Sequence, residues 1–213
     1  MKQNPLETIS RRWLLAGISI ARVLGAEEEY LSWDAKRAKT LVTAGRVIGQ
    51  VGKTFDFRIK STDRSYNFKV RATWMTPQII LARARLEQIA KSLTAAETKN
   101  LVADAQAAGD LIFQIEIDPR EGSGIIPGDW VALLGNAPRL VRGINTPQLR
   151  NLPALAPLAP RDYAYDIFWV VFPNKAEDGQ PLFAAADRET ELRVQIAGKV
   201  GKIRFQVPGD LKL

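Results

Sequence analysis

Four carboxylates, Glu116, Asp118, Glu121 and Asp129, make the densest acidic group of the chain, and Arg120 sits among them. A pair of carboxylates performs glycoside hydrolysis when a fold holds the two at the right separation. Several together can bind calcium through oxygen, but the spacing here fits no calcium-loop pattern. The plainer alternative is a solvated strand end that runs into a loop. Ser123 stands between two glycines, yet its neighbours do not make the Gly-x-Ser-x-Gly turn of a nucleophilic serine. The chain has no histidine and no cysteine. A serine nucleophile therefore lacks its usual base, and disulfides, thiolate metal sites and thiol chemistry are excluded. The side chain that most often moves protons near neutral pH is missing too. Gly45, Gly49 and Gly52 lack the lysine and serine of a phosphate-cradling loop. No cofactor and no metal is expected.

One stretch still gathers side chains suited to contact. Residues 118–130 are long for a strand connection, contain glycine, and bring Asp118, Arg120, Glu121, Asp129 and Trp130 together. Loops held by a rigid sheet are where binding residues concentrate, so these five are the candidate binding residues. The competing reading tucks Ile125, Ile126 and Trp130 into the core and leaves the charges in water. Of the other tryptophans, Trp74 and Trp169 read as core, and Trp33 is a further contact candidate.

The elements that must position these residues follow from hydrophobic periodicity. Residues 167–172, Ile-Phe-Trp-Val-Val-Phe, are too short for a membrane span and too uniform for an amphipathic helix. They predict a central strand buried on both faces, with a packed layer on each side. Residues 55–59 and 66–74 alternate apolar and polar across a polar turn, the signature of a hairpin, with a strand at 46–51 before them. In residues 111–118, Leu111, Phe113, Ile115 and Ile117 face one way, while Gln114, Glu116 and Asp118 face a wet side. A short strand is expected within 140–144. A second hairpin places Leu192, Val194, Ile196, Ile203, Phe205 and Val207 inward and turns at 198–201.

Helical periods occupy two places. Residues 28–39 predict a short helix with acidic side chains first and Lys36, Arg37 and Lys39 last, a favourable order for the helix dipole. Between 77 and 108 the spacing predicts two helices. The first has Thr76 as cap and Pro77 at its first position. It turns Ile79, Ile80, Leu86, Ile89 and Ala90 one way and Arg83, Glu87, Gln88 and Lys91 the other. The second opens on the capping box Thr94-Ala-Ala-Glu97. Residues 146–160 carry four prolines among leucines, which predicts a strap lying on the core. About eight strands with a single two-helix insertion predict a mainly β fold, a β-sandwich; an α+β open sheet covered by the helices is the alternative.

The N-terminal residues stand apart. Ser10-Arg11-Arg12-Trp13-Leu14-Leu15 opens a short apolar run to Ala21, Arg22 interrupts it, and Leu24-Gly25-Ala26 precedes three glutamates. This order of basic, apolar and small residues is that of an export leader. The segment resembles a bacterial twin-arginine export signal, whose pattern Ser10, Arg11, Arg12, Leu14 and Leu15 match. The resemblance covers about an eighth of the chain. It implies a signal peptide at 1–26 and a periplasmic or extracellular location; the 213-residue length, enough for one good core, makes residues 27–213 a single expected domain. Leu24 departs from the small residue usual three places before the cut, and the apolar run is brief. The competing reading is an amphipathic helix that stays on the protein.

Residues 1–26 hold Lys2, Arg11, Arg12 and Arg22 against Glu7, so their removal takes the net charge from +7 to +4. That surplus is spread along the strands, with no basic stripe interleaved with aromatics, so no nucleic acid is expected as partner. No stable membrane insertion is expected after cleavage, because the apolar run is too short. Two function classes fit. One is a non-catalytic exported binding or accessory protein whose partner is a protein or another cell-envelope component. The other is a small carboxylate-dependent glycan hydrolase or lyase. Facing carboxylates in a deep cleft would favour the enzyme; a flat apolar patch ringed by polar groups would favour the binder.

Overall fold

The computed structural model describes residues 29–52, 67–118, 126–156 and 165–209. Within them, nine strands form two antiparallel sheets. The five-stranded sheet runs in the order β1 (Arg46–Val51), β2 (Phe68–Trp74), β3 (Leu111–Asp118), β7 (Asp166–Phe172), β6 (Ile144–Asn145). The four-stranded sheet runs β5 (Val141–Arg142), β4 (Val131–Gly135), β8 (Glu189–Ile196), β9 (Lys199–Gln206). The described residues also hold three α-helices, α1 (Ala35–Ala44), α2 (Pro77–Lys91) and α3 (Ala95–Ala107). The fold is a β-sandwich with a helical insertion, as the strand count predicts. The helices pack on the outer face of the five-stranded sheet, so that sheet lies between two cores.

The inner core holds the alternating residues of both sheets, among them Val70, Phe113, Ile115, Val170, Leu192, Val194 and Ile203. Trp74 stacks on Phe113 at 5.1 Å between centroids and meets Phe205 edge-on at 6.3 Å. Such pairs contribute roughly 0.5–1.5 kcal/mol each beyond their buried area. The outer core joins the helices to Ile112 and Trp169 of the sheet, with Tyr30, Trp33, Ile79, Ile80 and Leu155.

Several expectations are met residue by residue. The Thr76 hydroxyl accepts from the Ile79 amide at the start of α2, and Thr94 with Glu97 closes the capping box of α3. The β8–β9 hairpin has the predicted faces, but its turn is the two-residue loop Ala197-Gly198, both at positive φ. That is the loop whose twist suits paired strands, so residues 199–201 belong to β9. Part of the proline-rich strap forms two 3₁₀ turns, Pro147–Asn151 and Pro153–Leu155, with Leu149 and Leu155 buried.

Others are corrected. The strand buried along its whole length is β3, not residues 167–172. β7 has only the two-residue β6 beyond it, so several of its side chains stay half-exposed. The side of β3 expected to be wet is covered: Gln114, Glu116 and Asp118 are all buried. Arg83 is buried too, while Ile89 on the same helix is exposed. The N-terminal helix begins later than expected. A 3₁₀ turn at Tyr30–Ser32 precedes it, and Asp34 caps α1 through the Arg37 amide. Lys36 and Arg37 therefore fall in the first turn, against the dipole. Trp33 is core. Strand β4 was not expected, and the single strand expected within 140–144 is two short pieces either side of Gly143. The predicted strand at 55–59 lies outside the described residues, as do the leader at 1–26 and Leu158 of the strap.

Candidate functional site

Antiparallel register puts directly opposed residues on one face, so the outer face of the five-stranded sheet can be read as rows. The first row is Arg46, Thr73, Gln114, Trp169, from β1 to β7. The second is Ile48, Arg71, Glu116, Ile167. The third begins Gln50, Lys69, Asp118. Helix α2 and the strap press on the first row; in the second and third rows Ile48 and Lys69 are exposed while Glu116 and Asp118 stay buried.

In the second row, Glu116 takes a guanidinium on each oxygen. Arg46 lies 3.0 Å from Oε1 and Arg71 lies 3.6 Å from Oε2. The Glu116 side chain is 6% exposed, while the arginines reach water. Arg71 also lies over the Tyr165 ring, 3.8 Å from its centroid, a cation–π contact. Beyond Arg71, Ile48 is 77% exposed. This open part of the face therefore has a large apolar side chain beside a guanidinium, on a rigid sheet.

In the first row, Arg83 comes up from α2. It donates to the carbonyls of Leu155 and Ala156 and to Gln114 Oε1, the last at 2.9 Å. Trp169 Nε1 donates to the same Leu155 carbonyl at 3.2 Å. These bonds hold the strap down. Burial first, and then neighbouring Arg46, lowers the Arg83 pKa to about 10, with Glu116 opposing the shift.

Of the five candidate binding residues, Asp118 lies on the outer face at the end of β3 and is buried opposite Lys69. Asp129 is exposed in a turn closed by the Trp130 amide on the Pro127 carbonyl. Trp130 is half-buried against Phe168, 4.8 Å between centroids, where it adds to the inner core. Asp118 and Trp130 thus belong to opposite faces of the sheet, because Phe168 shares the inner row of Ile115. The structure does not bring them onto one surface. Arg120 and Glu121 lie outside the described residues.

A cleft of about 370 Å³ opens where the helix layer meets both sheets. Leu41, Val47, Trp74, Ile79 and Phe205 wall it, with Arg204 and Gln206 at the rim. No carboxylate lines it among the described residues. Nor, among those residues, is any group of three or more carboxylates placed to hold a metal ion.

Arg83, Gln114 and Glu116 as a buried network escaped the sequence reading, although a signal was present. Arg83 stands four residues after Ile79 and three after Ile80, on the stripe that faces the sheet. Its charge suggested the opposite face; its spacing was the better guide.

Compared with known families, characterised proteins and solved structures, the chain matches none.

Proposed function

We propose that this chain is an exported, non-catalytic binding or accessory protein of the bacterial cell envelope. It reaches the periplasm or the cell exterior by the twin-arginine route and loses residues 1–26. The partner is a protein or another envelope component. It meets the open part of the outer sheet face, at Ile48, Lys69 and Arg71, extending towards Asp118.

One observation supports the choice of binder over glycan hydrolase: Glu116 and Asp118 lie away from the cleft of about 370 Å³, and no carboxylate among the described residues lines that cleft. Glu116 and Asp118 share a face, but both Glu116 oxygens are taken by arginines. The cleft, in turn, is walled by apolar side chains with polar residues at its rim. Ile48, 77% exposed beside Arg71 on a rigid sheet, is where the contact is placed. No helix among the described residues is long and apolar enough to cross a membrane.

Two experiments test this reading. N-terminal sequencing of the protein from the extracytoplasmic fraction should begin near Glu27, and replacing Arg11 and Arg12 with lysine should hold it inside. Normal export of that variant sinks the twin-arginine reading. Affinity purification from the host envelope should then recover a partner that Ile48→Asp loses while the melting temperature is kept. Equal recovery with wild type and Ile48→Asp removes this face from consideration. The parallel double substitution of Arg120 and Glu121 by alanine tests the remaining candidate binding residues.

A further inference from the structure

Arg83 is a buried guanidinium that no carboxylate among the described residues touches. It is 2% exposed, and its partners are two backbone carbonyls and an amide oxygen, all neutral. The carboxylate that acts on it, Glu116, gives both its oxygens to Arg46 and Arg71. Buried charges are ordinarily paired, because removing an isolated ion from water is unfavourable by far more than neutral hydrogen bonds return.

Three polar atoms where α2 meets the first row have no hydrogen-bond partner: Arg83 Nε of the helix, and Gln114 Nε2 and Thr73 Oγ1 of the row. Thr73 and Gln114 face each other across β2 and β3, and Gln114 is bonded to Arg83. The Gln114 amide cannot be reversed to repair this. A guanidinium only donates, so the oxygen must be the atom on Arg83 and the nitrogen must be left over. Two of the three atoms are pure donors and the hydroxyl can donate, so whatever meets them must accept. Arg46, opposite Thr73 on β1, adds positive charge at the end of the row that reaches water.

We propose that this row binds a small anion, held by Arg83 Nε, Gln114 Nε2 and Thr73 Oγ1, with Arg46 at its entrance. A water molecule has two lone pairs and no charge; an anion accepts from all three groups and neutralises the guanidinium. A halide and the carboxylate of a small organic acid share this chemistry. The site is independent of the envelope-binding reading, since it lies under α2 and away from the open face.

Thermal unfolding of the purified protein tests it, with sodium bromide or sodium acetate replacing the sodium salt of a bulky sulfonate at constant sodium. The melting temperature should rise with the logarithm of anion concentration above the dissociation constant. A response to bromide alone identifies a halide site, and a stronger response to acetate identifies a carboxylate site. Gln114→Glu places a negative charge on Arg83 covalently, so it should lose the dependence and melt no lower than wild type in the sulfonate. Should that variant fail to fold, Thr73→Val removes one hydroxyl and should weaken the anion response several-fold. A crystal soaked in bromide, or grown with acetate, should place the ion within hydrogen-bond distance of Arg83 Nε and Gln114 Nε2. Melting temperatures indifferent to either anion, a response that Gln114→Glu or Thr73→Val leaves unchanged, or water alone at the site would overturn the proposal.

Discussion

Glu116 organises its surroundings as a single buried carboxylate between two arginines that reach water. Glu116→Gln keeps the shape and removes the charge, leaving Arg46 and Arg71 facing an amide. Breaking a fully buried pair costs about 3–5 kcal/mol. Both arginines can turn towards solvent, so we expect roughly 2 kcal/mol here, read from a denaturant titration. Less than about 0.5 kcal/mol would mean that the network is no more than a surface ion pair. The identity of these side chains was plain in the sequence, but their environment was not. Period-two alternation in 111–118 sorts residues onto two faces and is silent about what covers each face. Gln114, Glu116 and Asp118 therefore looked wet, but α2 covers Gln114 through Arg83, and Arg46 and Arg71 close over Glu116. Asp118 and Trp130 misled for a related reason: adjacency along a loop does not decide which side of a sheet each residue joins.

Elements were legible where local chemistry fixes their ends. Thr76-Pro77 and Thr94 with Glu97 announce helix starts because each satisfies amides that the first turn leaves open. The Glu97 carboxyl is held below its ordinary 4.5 by bonds from the Thr94 backbone amide and then its hydroxyl. A depressed carboxyl contributes stability that is present above the unfolded value and is lost as pH falls through the folded one. Stability should therefore decline below about pH 4.5, and Glu97→Gln should flatten that part of the curve; curves of equal slope would mean that the box adds nothing to the folded state. Strand β4 was missed because Val-Ala-Leu-Leu-Gly is short and does not alternate. Packing makes a second claim at this scale. Phe205→Ala empties the aromatic cluster around Trp74 and Phe113, and Trp169→Ala empties the seat of the strap. Each should destabilise by about 3–5 kcal/mol. A loss below about 1 kcal/mol would show a core that collapses onto the gap.

The whole molecule depends on how the two sheets meet at their edges. On one side the chain itself crosses from β5 to β6 through Gly143, whose amide donates to the Ala132 carbonyl at 2.9 Å. A Cβ there would stand 2.3 Å from Val170 Cγ1 and 2.6 Å from the Phe172 ring. On the other side β9 lies against β1, and a Cβ on Gly201 would stand 2.5 Å from the Gln50 carbonyl oxygen. Each glycine thus lets one edge close, against side chains at Gly143 and against backbone at Gly201. Side chains can shift and a paired strand cannot, so Gly201→Ala should be the costlier change. Overpacking of this kind is worth about 1–3 kcal/mol, or about 2–4 °C in melting temperature per kcal/mol for a domain of this size. The atoms nearest the two added Cβ atoms belong to different residues, Val170 and Phe172 at one and Gln50 and Val51 at the other. If the edges close independently, the double variant should lose the sum of the single losses to within about 0.5 kcal/mol. A smaller combined loss would mean that opening one edge already relaxes the other. The sandwich would then be held as a closed ring, and its stability could not be assigned to separate sheets.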